Sequence, residues 1–127
     1  MKDLKLKPTE TELSILQILW KRGNGTVRQV HEELSLFKES GYTTTLKLMQ
    51  IMHEKGILSR DDSSKVHVYT PVISREKTRK QFIGKMAETL FGGSTPALAM
   101  EALGQSRPSA EELDQIQQLI DQLKETN

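Results

Sequence analysis

No cysteine occurs among the 127 residues. Disulfides, thiolate metal sites and a cysteine nucleophile are excluded together. No apolar run approaches the roughly 20 residues a membrane-spanning helix needs. The opening segment, MKDLKLKP, holds no apolar run either. No signal peptide is expected, and the sequence reads as a cytoplasmic protein without membrane insertion. Also missing are a P-loop, a G-x-S-x-G elbow and a dinucleotide fingerprint. His31, His53 and His67 lack zinc-ligand spacing. They are read as exposed or partly buried, on the outer part of a helix, near a helix end and in a strand. Glu32-Glu33 and Asp61-Asp62 are adjacent pairs, and neighbours on a helix do not face each other. An enzyme is not expected, nor a cofactor or metal.

Large net charge is lacking too, at +1 overall. Its distribution is uneven. Lys and Arg outnumber Asp and Glu by eleven to nine in 1–73 and by five to two in 74–91, whereas 92–127 carry two against six. A basic front and an acidic tail suggest two surfaces with different partners. Hydrophobic residues make up 35% and charged residues 28%. That supports a modest core, and a second copy would help bury the remaining apolar faces.

The elements follow from periodicity and capping. In TETELSILQILWKRG, Thr9 and Glu12 have capping-box spacing, and Leu13, Leu16, Leu19 and Trp20 share a helical face, with Gly23 and Gly25 at its end. In TVRQVHEELSLF, Thr26 and Gln29 repeat the box, and the stripe is Val27, Val30, Leu34 and Phe37. The third helix opens on GYTTTLK, where threonine serves as a cap, and stops at Gly56. Thr45, Leu48, Met49 and Met52 face inward, and Thr43, Lys47, Gln50 and Glu54 face outward. Ile57-Leu58 and Val66, Val68, Tyr69 read as two short strands around the turn Asp61–Ser64, with Lys65 near the hairpin tip.

After Pro71 the chain returns to helix, with Ser74 as N-cap and Phe82, Ile83, Met86 and Leu90 as its stripe. A short helix follows Thr95-Pro96, carrying Leu98, Met100 and Leu103. The last begins at Pro108-Ser109 with Glu112 completing a third box. Leu113, Ile116, Ile120 and Leu123 form a short coiled-coil-like seam. These last three helices have narrow apolar stripes and little of their own to bury them against. The seam and Leu98 are therefore expected at a dimer interface with a second copy. The alternative is a helical appendage packed on the same chain.

The fold expected is mainly α with a small β-hairpin wing. It comprises a winged helix-turn-helix over 1–73 and a helical dimerisation region over 74–127. In a winged helix the third helix enters the major groove of double-stranded DNA, and the hairpin reaches the flanking backbone. Thr43 and Thr44 are then phosphate contacts at the helix N-terminus. Lys47 and Gln50 are candidates to read base edges or phosphates, and Leu46 is a candidate for a thymine methyl. Lys65 and Arg28 are candidate backbone contacts. A second reading is a winged-helix protein-interaction adaptor, whose acidic partner would dock on Arg75, Lys77, Arg79 and Lys80.

Four short motifs occur in order: T-E-x-E-L…I-L-W, T-V-R-x-V, Y-T-T and K-G-I-L. Downstream come L-F-G-G-S and S-x-E-E-L. With them the chain resembles the penicillinase repressor family (BlaI/MecI type) from about Leu6 to Leu123. The resemblance implies a homodimeric transcriptional repressor on a palindromic operator, and in such systems a membrane sensor-protease as a further partner. The sequence departs from the family's pattern in places. Ile51 stands where the family often has Arg, and Thr45 where it often has Val. Glu101-Ala102 stands where the best-known cleavage site has Asn-Phe. The C-terminal cysteines of copper-sensing members are absent.

Overall fold

The computed structural model describes residues 8–126. Six helices and one hairpin follow in the order α1 (Glu10–Arg22), α2 (Val27–Leu34), α3 (Tyr42–Glu54), β1 (Leu58–Asp61), β2 (Val68–Pro71), α4 (Arg75–Phe91), α5 (Thr95–Gln105) and α6 (Ala110–Thr126). The chain divides between Lys80 and Gln81 into two compact units. Among the described residues no helix is long and apolar enough to cross a membrane.

The first unit is a three-helix body carrying a wing. Local chemistry sets its helix starts. Thr9 Oγ1 accepts from the Glu12 amide at 3.2 Å, and Glu12 Oε1 accepts from the Thr9 amide at 2.9 Å. Thr26 and Gln29 repeat the reciprocal pair ahead of α2. Each box satisfies amides that a helix start otherwise leaves unpaired. Ile15, Leu16, Leu19, Val30, Leu34, Met49, Met52, Ile57, Leu58 and Tyr69 then close into one core. Glu12 is buried as well, and its Oε1 also accepts from Lys55 Nζ at 2.8 Å. That ion pair ties the start of α1 to the C-terminal cap of α3, so the ends of two crossing helices are fixed together.

The wing is an antiparallel pair with Leu58 opposite Pro71 and Asp61 opposite Val68. Alternation turns Leu58 and Tyr69 to the core and Ser59 and Thr70 to solvent. Trp20 Nε1 donates to the Ile73 carbonyl at 3.0 Å, holding the chain as it leaves the wing.

Several boundaries differ from the sequence expectations. Helix α2 ends at Leu34, so Phe37 lies past its stripe and is 65% exposed. Gly23, with φ of 95°, closes α1, but Gly25 does not act as a stop. It bridges to Tyr69 in the wing. Helix α3 starts at Tyr42 with Gly41 as its N-cap and no side-chain cap bond, so none of the threonines caps it. Ile57 precedes β1, Asp61 ends that strand rather than starting the turn, and Val66 and His67 belong to the hairpin loop. His31, expected exposed or partly buried on the outer part of its helix, is half-buried, with Nδ1 3.2 Å from Thr45 Oγ1. Thr45 Oγ1 also lies 3.4 Å from the Gly41 carbonyl, within the first turn of α3.

In the second unit α5 and α6 contain no buried residue. Their starts are nonetheless well capped. Ser94 Oγ accepts from the Ala97 amide, and Ser109 and Glu112 form the expected box. Ser74 caps α4 by accepting from the Lys77 amide at 3.0 Å.

Candidate nucleic-acid interface

Helix α3 turns one face to the core and the other to solvent. Thr45, Met49 and Met52 are buried, and Leu48 is half-buried beside them. Thr43, Thr44, Lys47 and Gln50 are all exposed on the opposite side. The outward surface thus offers hydroxyls, an ammonium and a carboxamide, the groups that read base edges and phosphates in a major groove. Glu54, also exposed, sits at the far end of the helix.

The N-terminus of α3 differs from the other helix starts in lacking a side-chain cap. The first amides of a helix have no intrahelical acceptor. At α1, α2, α4, α5 and α6 a Ser or Thr oxygen takes one of them. At α3 Gly41 supplies none, and Thr43 and Thr44 follow in the first turn.

Leu46, Arg28 and Lys65 come from three separate segments. The fold gathers them around one open cleft of about 420 Å³, formed by the start of α2, the first turns of α3 and the wing. Leu46 is half-buried and packs partly on the core, so only part of it faces the cleft. The polar lining residues Thr26, Tyr42, His67 and Tyr69 are outside the candidates read from the sequence. The guanidinium carbon of Arg28 lies 6.0 Å from the Tyr42 ring centroid, a cation–π arrangement. The His31 ring meets Tyr42 edge-on at 5.7 Å. Tyr42 had a local signal: it is an aromatic in the first helical turn, directly before Thr43. His67 had no local signal, since only the hairpin register brings it to the cleft.

The remaining cation of the wing is already committed. Arg60 Nε donates to Asp62 Oδ1 at 2.6 Å and its Nη2 to Oδ2 at 3.3 Å. Hydrogen bonds donated to Asp62 and then to Tyr69 raise the guanidinium above its ordinary pKa. Asp62 also lies 3.7 Å from His67 Nδ1. Among the described residues no carboxylate lines the cleft. Nor does any cluster of His, Asp or Glu there fit a metal ion.

Residues 8–122 match the family described as penicillinase repressor. The chain belongs to the penicillinase repressor family. Members of this family are transcriptional repressors with a DNA-binding domain, not enzymes. Transcriptional regulator BlaI of Mycobacterium tuberculosis (strain ATCC 25618 / H37Rv) is 27% identical over 117 residues, spanning 91% of this chain and 83% of the relative. The penicillinase repressor of Bacillus licheniformis is 22% identical over 116 residues and is covered to 91% on both sides. The solution structure of the DNA binding domain of the repressor BlaI superposes with a TM-score of 0.50 at 26% identity. It covers 54% of this chain and 84% of its own. The three helices and hairpin of this penicillinase repressor relative are therefore a winged helix, as expected from the element order.

The dimerisation candidates lie in the second unit. Leu113, Ile120 and Leu123 are 49%, 40% and 54% exposed, and Leu98 and Ile116 are half-buried. Met86, Leu90 and Met100 are exposed as well.

Proposed function

We propose that the chain is a homodimeric, sequence-specific repressor that occupies a palindromic operator near a promoter. Residues 1–73 supply the DNA-binding winged helix, and 74–127 supply the dimerisation region. The observation that carries the reading is the outward face of α3. Thr43, Thr44, Lys47 and Gln50 stand together on a helix whose opposite side is locked into the core. Family membership supports DNA as the partner, and BlaI, a relative, is described as having a DNA binding domain.

Lys47 and Gln50 read base edges in the major groove. Thr43, Thr44, Arg28 and Lys65 hold backbone phosphates, and Leu46 packs on a thymine methyl. Pairing of two copies through α5 and α6, with help from α4, covers the apolar residues Leu98, Leu113, Ile116, Ile120 and Leu123. Such pairing sets two recognition helices on an inverted repeat, a turn of DNA or more apart. The setting is cytoplasmic, and a membrane sensor-protease is the upstream partner the family suggests. Cleavage by such a protease would need a site other than the Glu101-Ala102 position.

Footprinting on DNA upstream of the protein's own gene tests the reading. Two protected half-sites related by a dyad are expected. A single protected half-site, or uniform protection, contradicts the dimeric operator complex.

A further inference from the structure

The cleft between the wing and the helices holds more donors than Arg28 and Lys65 alone. Tyr42 occupies the first turn of α3 and is 43% exposed. Its ring meets the Arg28 guanidinium at 6.0 Å and the His31 ring in a T-shaped contact at 5.7 Å. Neither contact uses the hydroxyl, which has no hydrogen-bond partner among the described residues. Lys65 and His67 stand on the same cleft from the wing side. The seat therefore converges an ammonium, a guanidinium, an imidazole and a phenol from three segments, with no carboxylate on its lining.

We infer that this cleft seats one phosphodiester of the DNA backbone, and that the Tyr42 hydroxyl donates to its anionic oxygen. The inference rests on the DNA-binding reading above and adds Tyr42 to the contacts. Charge complementarity selects the occupant: a phosphodiester brings one negative charge and two acceptor oxygens to a lining that carries the Arg28 and Lys65 cations and no carboxylate. The contacts with Arg28 and His31 restrict the ring before DNA arrives, which lowers the entropy cost of the contact. His31 is a positioning residue here. It acts through Tyr42 and Thr45 rather than on the DNA. A phosphate contact carries no sequence information, so Tyr42 fixes register on the duplex and not choice of bases.

The test pairs Tyr42→Phe with an operator duplex scanned by single methylphosphonates, which remove the charge of one phosphate at a time. Tyr42→Phe keeps the ring, so matching thermal midpoints are expected. Affinity for operator and scrambled duplex should fall by the same factor, about ten-fold. In wild type, one methylphosphonate position per half-site should lower affinity comparably, and in Tyr42→Phe that position should have little further effect. Unchanged affinity in Tyr42→Phe, or losses that add at every position, overturns the seat while leaving the repressor reading intact. Failure of the wild type to bind DNA at low salt overturns the repressor reading and the seat with it.

Discussion

Gly25 and Tyr69 exchange both backbone hydrogen bonds, Gly25 N–H to the Tyr69 carbonyl at 3.0 Å and Tyr69 N–H to the Gly25 carbonyl at 2.8 Å. A residue between α1 and α2 thereby continues the wing as a third, one-bridge edge. The wing is fastened to the helical body by main chain as well as by the buried Tyr69 ring. A side chain at position 25 has little room. An added Cβ would sit 3.3 Å from both Leu19 Cδ2 and Arg22 Nε. Gly25→Val should therefore destabilise the first unit by about 1–3 kcal/mol through overpacking. A denaturant midpoint equal to wild type would show that the bridge yields without cost.

Lys55 is the partner that the buried Glu12 carboxylate has at the far end of α3. Its side chain is 31% exposed, against 3% for Glu12. Lys55→Ala leaves the carboxylate with the Thr9 amide alone. The expected loss is about 1–3 kcal/mol of unfolding free energy, the cost of an under-satisfied buried charge. Chemical denaturation measures it directly. Lys55→Met with wild-type stability would mean that the aliphatic stem, not the charge, matters there.

The wing carries one acid whose titration is shifted by local geometry. Hydrogen bonding from Ser63, first by its side chain and then by its amide at 2.9 Å, lowers the Asp61 carboxyl below its ordinary 3.8. A depressed folded-state pKa means stabilisation that is fully present above 3.8 and lost as pH falls through the folded value. Asp61 should thus titrate below 3.8 in an NMR pH series, and Ser63→Ala should move it upward. An Asp61 titration at or above 3.8 in wild type would contradict the turn geometry.

Dimerisation has its own variant. Ile120 stands within the Leu113–Leu123 seam and is 40% exposed in the single chain. Ile120→Asp should give monomers at micromolar concentration by analytical ultracentrifugation, with an unchanged helical signal. A variant that stays dimeric places the interface elsewhere.

How far the sequence could be read depended on how far apart the interacting residues lie. Thr9 with Glu12, Thr26 with Gln29 and Ser109 with Glu112 are three residues apart, so all three boxes were visible as spacing. The threonine cap expected for α3 is absent because the cap is Gly41, which leaves no side-chain signal, while the threonines after it leave a strong one. Phe37 continued the α2 periodicity from Leu34, yet the helix had already ended. The partial burial of His31 fits its helical position, but its partner Thr45 is fourteen residues away and has no local signature. The Gly25 bridge and the place of His67 on the cleft depend on the same long-range closure, whereas Tyr42 carries a local signal in the first turn of α3. The outward set on α3 was legible since a single helix period orders it.

The most direct measurement is a gel shift of the purified protein on the DNA upstream of its own gene. It should be run at low and moderate salt against a scrambled duplex, with Lys47→Ala alongside. The account predicts tight, sequence-preferring binding that weakens steeply with salt as counterions are released. Lys47→Ala should lose about 1–3 kcal/mol on the operator. Equal affinity for both duplexes, or no binding at low salt, would contradict a sequence-specific repressor, and the latter would favour a winged-helix adaptor.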